Sequence, residues 1–197
     1  MVMIGLLIAA PIVVPSFQAA DVVKVLGLGG VAVGFAFKDI FQNFFAGILI
    51  LLTNPFRVGD QIVVQSYEGT VEEIETRATT IRTYDNRRVV IPNADLYTKS
   101  VLVETAFGNR RSTCQVAIGY DDDIDNAKKV ILEAIKDIDV VLGDPEPSVV
   151  AAKLDDATVI LNVSWWSESQ RSKVGAAQDK VLAALKQARM KGPEEKD

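Results

Sequence analysis

From Val25 to Phe37 the chain carries no charge, and small residues alternate with large apolar ones: VLGLGGVAVGFAF. Such a run has two readings. Gly27, Gly29 and Ala32 fit G-x-G-x-x-A, the turn that cradles a dinucleotide between a strand and a helix. That turn also wants an acidic residue about 20 positions on, to hold a ribose. From Ile40 to Gly59 there is no Asp or Glu. The second reading is a helix. At about 100° per residue, Gly27, Gly30 and Gly34 share one flank, and Ala32 and Ala36 share the opposite one. Leu28, Val31 and Phe35 lie between the flanks on one side, and Val33, Phe37 and Ile40 on the other. Small residues let helices approach closely in lipid. One small flank suits a dimer, whereas two opposed flanks predict a neighbour on each side and hence a ring of identical helices. One apolar line then faces the ring centre. Val31 and Phe35 are expected there as a constriction that excludes ions by dewetting. The plainer account is an ordinary packed membrane helix, in which glycine is frequent.

The charge distribution agrees with a membrane reading. Residues 1–56 hold only Asp21, Lys24, Lys38 and Asp39, which cancel, so the net charge of −5 lies wholly in residues 57–197. An apolar head on a charged remainder predicts a membrane protein with a water-exposed part. The mild acidity argues against a nucleic-acid partner. A lone cysteine, Cys114, excludes an internal disulfide and fits a reducing compartment. The absence of histidine excludes imidazole metal sites and Ser-His or Cys-His nucleophile pairs. No cofactor and no metal are expected.

Residues 1–20 read as the end of an upstream transmembrane helix, Met1 to about Val14, followed by a turn near Pro15 and Ser16. Residues 21–56 read as one pore-lining helix with an interfacial second half. Lys38 and Asp39 come one turn after Phe35 and mark a bend or the mouth of the pore, since charge inside a membrane is costly unless it meets water or a partner. Beyond them Phe41, Phe44, Phe45, Ile48 and Leu52 recur at helical spacing, and Gly47 is a candidate bend. Asn54-Pro55 is the stop.

Residues 57–103 read as a small all-β domain. GTVEEIETRATTIRT alternates as one stretch with a bulge, and Asp85-Asn86 marks a turn. Arg57, Arg77, Arg82, Arg87 and Arg88 form a basic collar that suits anionic lipid head groups or biases ions at portals. Solvated strand faces are the equal alternative. Residues 104–191 read as an α/β domain in the order β-α-β-β-α, a split βαβ unit. Asp121 to Asp123 cap a helix from Ile124 to about Ile138, and KVGAAQDKVLAALKQA is a second helix. The acids are not a calcium loop, because position six is Asn126 and position twelve is Leu132. Of Trp165 and Trp166, one is expected in the core and the other at a subunit contact. Residues 192–197 are a polar tail.

The segment NPFRVGD, Asn54 to Asp60, brings these pieces together. With AVGFAFKDIFQNFFAGILILL before it, the strand Thr80 to Thr83 and Ile91-Pro92-Asn93 after it, the chain resembles the MscS family of small-conductance mechanosensitive channels from about Val22 to about Lys191. The resemblance implies a membrane α-helical pore segment, a small SH3/Sm-like β domain and a ferredoxin-like α+β domain. It implies a homo-heptamer in a plasma (inner) membrane, surrounded by lipids, with the C-terminal domains cytoplasmic. Membrane tension would open it under osmotic downshock. The family's two rings of bulky pore residues fall on Val31 and Phe35. Its glycine-on-alanine contacts fall on Gly27, Gly30, Gly34, Ala32 and Ala36, and its bend on Gly47. Three departures stand out. The prototype has Gln-Gly where this chain has Lys38-Asp39. The family usually has three or more membrane helices, where this chain has one and part of a second. The prototype also ends in a strand that builds a small barrel, which the polar tail here is not expected to form. Two rival readings remain: an enzyme, a dinucleotide-binding oxidoreductase, and a non-conducting membrane-anchored oligomeric scaffold.

Overall fold

The computed structural model describes residues 19–190. The expected upstream helix end, from Met1 to about Val14, and the polar tail 192–197 lie outside the described residues. In chain order the elements are α1 (Ala19–Thr53), β1 (Gln61–Val64), β2 (Tyr67–Ile74), β3 (Ala78–Thr83), β4 (Arg88–Pro92) and α2 (Asn93–Thr98). There follow β5 (Val101–Val103), β6 (Asn109–Gly119), α3 (Ile124–Lys136), β7 (Ser148–Leu154), β8 (Thr158–Glu168) and α4 (Arg171–Met190). A five-stranded sheet has the order β4-β3-β2-β1-β5, and a three-stranded sheet the order β6-β8-β7. The chain forms two compact units. Among the described residues, one joins residues 19–55 with Ile74–Thr80 and Val90–Lys99; the other joins Phe56–Glu73, Ile81–Val89 and residues 100–190.

Helix α1 is 35 residues long, which at 1.5 Å per residue is about 52 Å. No proline interrupts it. Its first turn carries Asp21, which suits the positive end of the helix dipole and pairs with Lys24 at 3.0 Å. Its end has a local cause. Asn54 takes the left-handed conformation (φ 47°) and donates its N–H to the Ile50 carbonyl, and Pro55 cannot continue the helix. An 18-residue stretch of α1 has mean hydropathy 1.7, and none of that stretch is buried.

The first sheet is antiparallel where β1 meets β2 and β5, with Ile62 opposite Gly69 and Val103. The NPFRVGD segment leads into it through a tight turn. Asp60 accepts a hydrogen bond from the Arg57 N–H at 2.7 Å, and Gly59, at φ +98°, donates its N–H to the Val71 carbonyl. Few residues other than glycine adopt that angle.

Two sequence expectations need correction here. GTVEEIETRATTIRT is not one bulged strand but two, β2 and β3, with a turn closed by Glu75 N–H donating to the Ala78 carbonyl at 2.9 Å. The turn residues Glu-Thr-Arg carry none of the Gly, Pro or Asn signals of a hairpin, and alternation persists on both sides of it. Within the stretch read as all-β, residues 93–98 form α2. A six-residue helix shows less than two full periods, so its pattern is not separable from a strand's.

In the three-stranded sheet β8 pairs antiparallel with both β6 and β7. The outer strands therefore run parallel with β8 between them, which is the split βαβ arrangement. One face of β8, through Val159, Leu161, Val163 and Trp165, packs with Ile131 and Ile135 of α3 and Ala177, Val181 and Leu185 of α4. Trp165 is the core tryptophan and Trp166 is half-buried. Of the three aspartates before α3, Asp123 is the cap: its carboxylate accepts from the N–H groups of Asp125 and Asn126 at 2.8 and 3.1 Å. Asp122 instead accepts from the Gly119 N–H.

Two outcomes follow. A Cβ on Gly69 would overlap the Arg82 carbonyl oxygen, so Gly69→Ala should lower stability by about 1–3 kcal/mol, read as a lower urea midpoint with an unchanged slope. The backbone N–H groups of Asn126 and Asp125 hold the Asp123 carboxyl below its ordinary range. Its folded-state value is depressed, so its stabilisation is present above the unfolded value and is lost as pH falls through the folded one. Asp123→Asn keeps a cap but should flatten that acid-side loss in melts between about pH 2 and 5.

Candidate functional site

The best-defined constellation lies in the unit that contains α1. Near its C-terminal end α1 turns buried, through Ala46 and Ile50, and packs on α2. α2 begins at Asn93, immediately after Pro92, which has no side chain able to cap it. The cap comes from α1: Asn43 Oδ1 accepts the Ala94 N–H at 3.0 Å, while Asn43 Nδ2 donates to the Asp39 carbonyl at 2.9 Å. One turn on, Gly47 lies against the strand connection. A Cβ there would overlap the Thr76 carbonyl oxygen and come within 2.6 Å of Asn93 Nδ2. Gly47 therefore allows the helix backbone to touch this layer. α1 continues through it as one helix.

Asn93 has no exposed surface. Its Nδ2 donates to the Glu75 carbonyl at 2.7 Å, its Oδ1 accepts from Thr79 Oγ1 at 2.8 Å, and its backbone N–H donates to the Arg77 carbonyl at 3.1 Å. A buried amide with its bonds made is rigid and specific, and costly to disrupt. From the sequence, Asn93 is only a motif letter and Asn43 only a polar residue off the apolar face of the helix. Neither role has a sequence signal, because the partners are 14 to 51 residues away.

The rest of α1 has a different character. Val31 and Phe35 are 57% and 73% exposed, and Leu28, Val33, Phe37 and Ile40 are also bare. A Cβ on Gly27, Gly30 or Gly34 would meet nothing within 4 Å. Ala32 and Ala36 are exposed as well. Lys38 and Asp39 are exposed, and neither has an ion-pair partner among the described residues. Phe37, Phe41 and Phe45 form a stepped row with centroids 6.3 and 6.4 Å apart, and Phe44 meets Phe45 edge-on at 5.6 Å.

The five arginines differ in their immediate surroundings. Arg82 is paired with Glu72 at 3.0 Å, and Arg87 with Asp85 at 2.5 Å. The Arg87 guanidinium, with help from the Thr83 hydroxyl, holds the Asp85 carboxyl below the usual range. Arg87 and Arg88 line one open depression of about 540 Å³ with Tyr67, Glu68, Tyr84 and Asp85. Arg57 and Arg77 are exposed and do not line it. Two of the five charges are thus largely neutralised in place.

A family model described as the mechanosensitive ion channel β-domain matches residues 39–102. An MscS family protein of Synechocystis is 35% identical over 153 residues, covering 78% of this chain and 52% of that one. The low conductance mechanosensitive channel YnaI of Escherichia coli is 42% identical over 116 residues, covering 57% of this chain and 33% of that one. The crystal structure of Helicobacter pylori MscS in its closed state superposes with a TM-score of 0.80 at 23% identity, over 94% of this chain and 74% of that one. At that identity the superposition speaks for the fold. The chain spans 52% to 59% of the length of the first curated relatives it matches.

The Asn93 node gives a direct test. Asn93→Ala strands the Glu75 carbonyl and the Thr79 hydroxyl and should cost about 1–3 kcal/mol. Gly47→Ala forces backbone apart and should cost at least about 1 kcal/mol. Thermal unfolding in detergent should show both as lower midpoints, whereas Gly27→Ala, which meets nothing within 4 Å in the single chain, should leave the midpoint the same or higher.

Proposed function

Because this chain belongs to the MscS-type family of mechanosensitive channels, we propose that it is a pore-forming subunit of a tension-opened channel that releases ions and small solutes under osmotic downshock. The observation that supports this most is the bareness of α1 up to about Gln42. An apolar helix of that length with no protein cover is stable only in lipid or against other apolar helices. Its two small flanks suit identical neighbours on both sides. A closed ring, with seven copies as the family resemblance implies, turns Val31 and Phe35 inward as the constriction. Water leaves so narrow an apolar throat, and ions with it. Tension favours a wider ring, in which the helices tilt or slide and the throat wets.

In this reading Lys38 and Asp39 sit at the mouth of the pore, and the phenylalanine row beyond them meets lipid at the interface. The Asn43, Gly47 and Asn93 contacts tie the end of α1 to the layer beneath, so that movement of the helix is transmitted. Gly47 serves as a bend only if those contacts release. The five-stranded sheet corresponds to an SH3/Sm-like domain under the membrane, and the split βαβ part to a ferredoxin-like vestibule domain on the cytoplasmic side of a plasma (inner) membrane. Arg57 and Arg88, which have no ion-pair partner among the described residues, remain able to meet anionic head groups.

Patch recording of the full-length protein in liposomes tests the proposal. Val31→Asp should hydrate the throat and give openings at lower tension or without tension. Gly34→Leu should push neighbouring helices apart and reduce the assembled fraction by size-exclusion light scattering. A protein that assembles and yet never passes tension-dependent current would favour a membrane-anchored scaffold instead.

A further inference from the structure

Arg171 is the first residue of α4, and a cation there faces the positive end of the helix dipole, which disfavours it. No acidic residue stands in the first turn to offset it. The compensation comes from the five-stranded sheet, through three contacts. The guanidinium pairs with the Glu68 carboxylate of β2. It also stacks over the Tyr84 ring, just past β3, 4.3 Å from the centroid. The Arg171 backbone N–H donates to Gln61 Oε1 of β1 at 2.9 Å, across 110 positions of sequence. The start of α4 is thus capped by a distant strand.

The other ties at this junction differ in kind. The linker between β5 and β6 is held mostly by neutral bonds: Ser169 Oγ donates to the Phe107 carbonyl at 2.6 Å, Ser169 N–H to the Gly108 carbonyl, and Glu104 N–H to the Gln61 carbonyl, with one part-buried bond from Thr105 Oγ1 to the Asp60 carboxylate at 2.9 Å. The charged pair Arg110–Glu104, at 2.7 Å, has its carboxylate side chain only 7% exposed. Salt screens neutral bonds hardly at all and buried pairs little. The Arg171–Glu68 pair is different, with side chains 51% and 32% exposed. Glu68 holds the guanidinium even further toward its charged form, and burial with Glu68 and Glu104 pushes the Tyr84 phenol up. Arg171 therefore stays cationic and Tyr84 neutral, and ionic strength is the variable that acts on the contact.

We infer that Arg171 is a salt-labile latch, which fastens the start of α4 to strands β1 and β2 and to the Tyr84 turn at low ionic strength and loosens as ionic strength rises. The latch is independent of whether the pore conducts. Hydrogen exchange on the full chain in detergent reads it, because the Arg171 amide is itself part of the contact. Between about 0.05 and 0.5 M salt, exchange at Arg171, Lys173 and Val174 should rise about two- to five-fold, the range of an exposed ion pair. Glu104 and Ser169 should not change. Glu68→Gln should abolish the salt dependence while the stack on Tyr84 remains. Arg171→Ala should give fast exchange at every salt concentration, and Arg171→Lys an intermediate rate, since it keeps the charge without the planar face. The inference is overturned if the Arg171 amide ignores salt in the native chain, if Arg171→Ala exchanges like the native chain, or if all the named amides speed up together.

Discussion

Asn93 has one amide side chain and no access to water, and what surrounds it depends on its bonds being made. Its carbonyl oxygen takes the Thr79 hydroxyl and its NH₂ reaches the Glu75 carbonyl. A missing partner would strand a polar group in a dry layer at a cost comparable to much of a domain's margin of stability. Gly47 and Asn43 of α1 meet the same layer, the first by having no side chain and the second by capping α2. A long apolar helix and a sheet could be joined by a floppy linker. Here they are joined by close backbone approach and directional bonds, so the end of the helix is oriented as well as tethered.

The remainder of α1 follows the opposite rule. Its large side chains have nothing beyond the helix itself to pack on, and its glycines from Gly27 to Gly34 open onto empty space. Those two facts belong together. A helix that met water would not keep such a surface, and one that met lipid alone would have no use for two smooth flanks. In the ring proposed above, the complementary surface is another helix of the same kind, and the fold of one chain would then be tied to the presence of its copies.

Much of this was legible from spacing. The helical period, the Asn54-Pro55 stop, the aspartate cap and the order of strands and helices after Asn109 all rest on local chemistry acting over a few residues. What was not legible shares a cause. The turn at Glu75 to Arg77 has no turn residues, and it is defined by what approaches it. Gly47 reads as a bend in isolation, yet its contact is with Thr76. Asn93 looks like a motif letter until Thr79 and Glu75 are placed beside it. The five arginines look alike in sequence, but Glu72 and Asp85 occupy two of them. Arg171 looks like a surface charge, and its partners lie on strands more than a hundred positions earlier, except for Tyr84. Apart from Asp85, which lies two positions from Arg87, the information sits in the pairing of segments that periodicity does not carry.

The central place of β8 has a consequence for biosynthesis. β6 and β7 leave a gap one strand wide, and the strand that fills it is the last of the three to be made. Until the ribosome has released residues up to Glu168, β6 carries two open edges and the hydrophobic faces of α3 and β7 have no floor. Long-range pairings of this sort form late and expose sticky intermediates. By then α1 has long since left the exit tunnel. α1 is therefore complete before the three-stranded sheet can close, and the apolar face of α3 waits uncovered until β8 arrives.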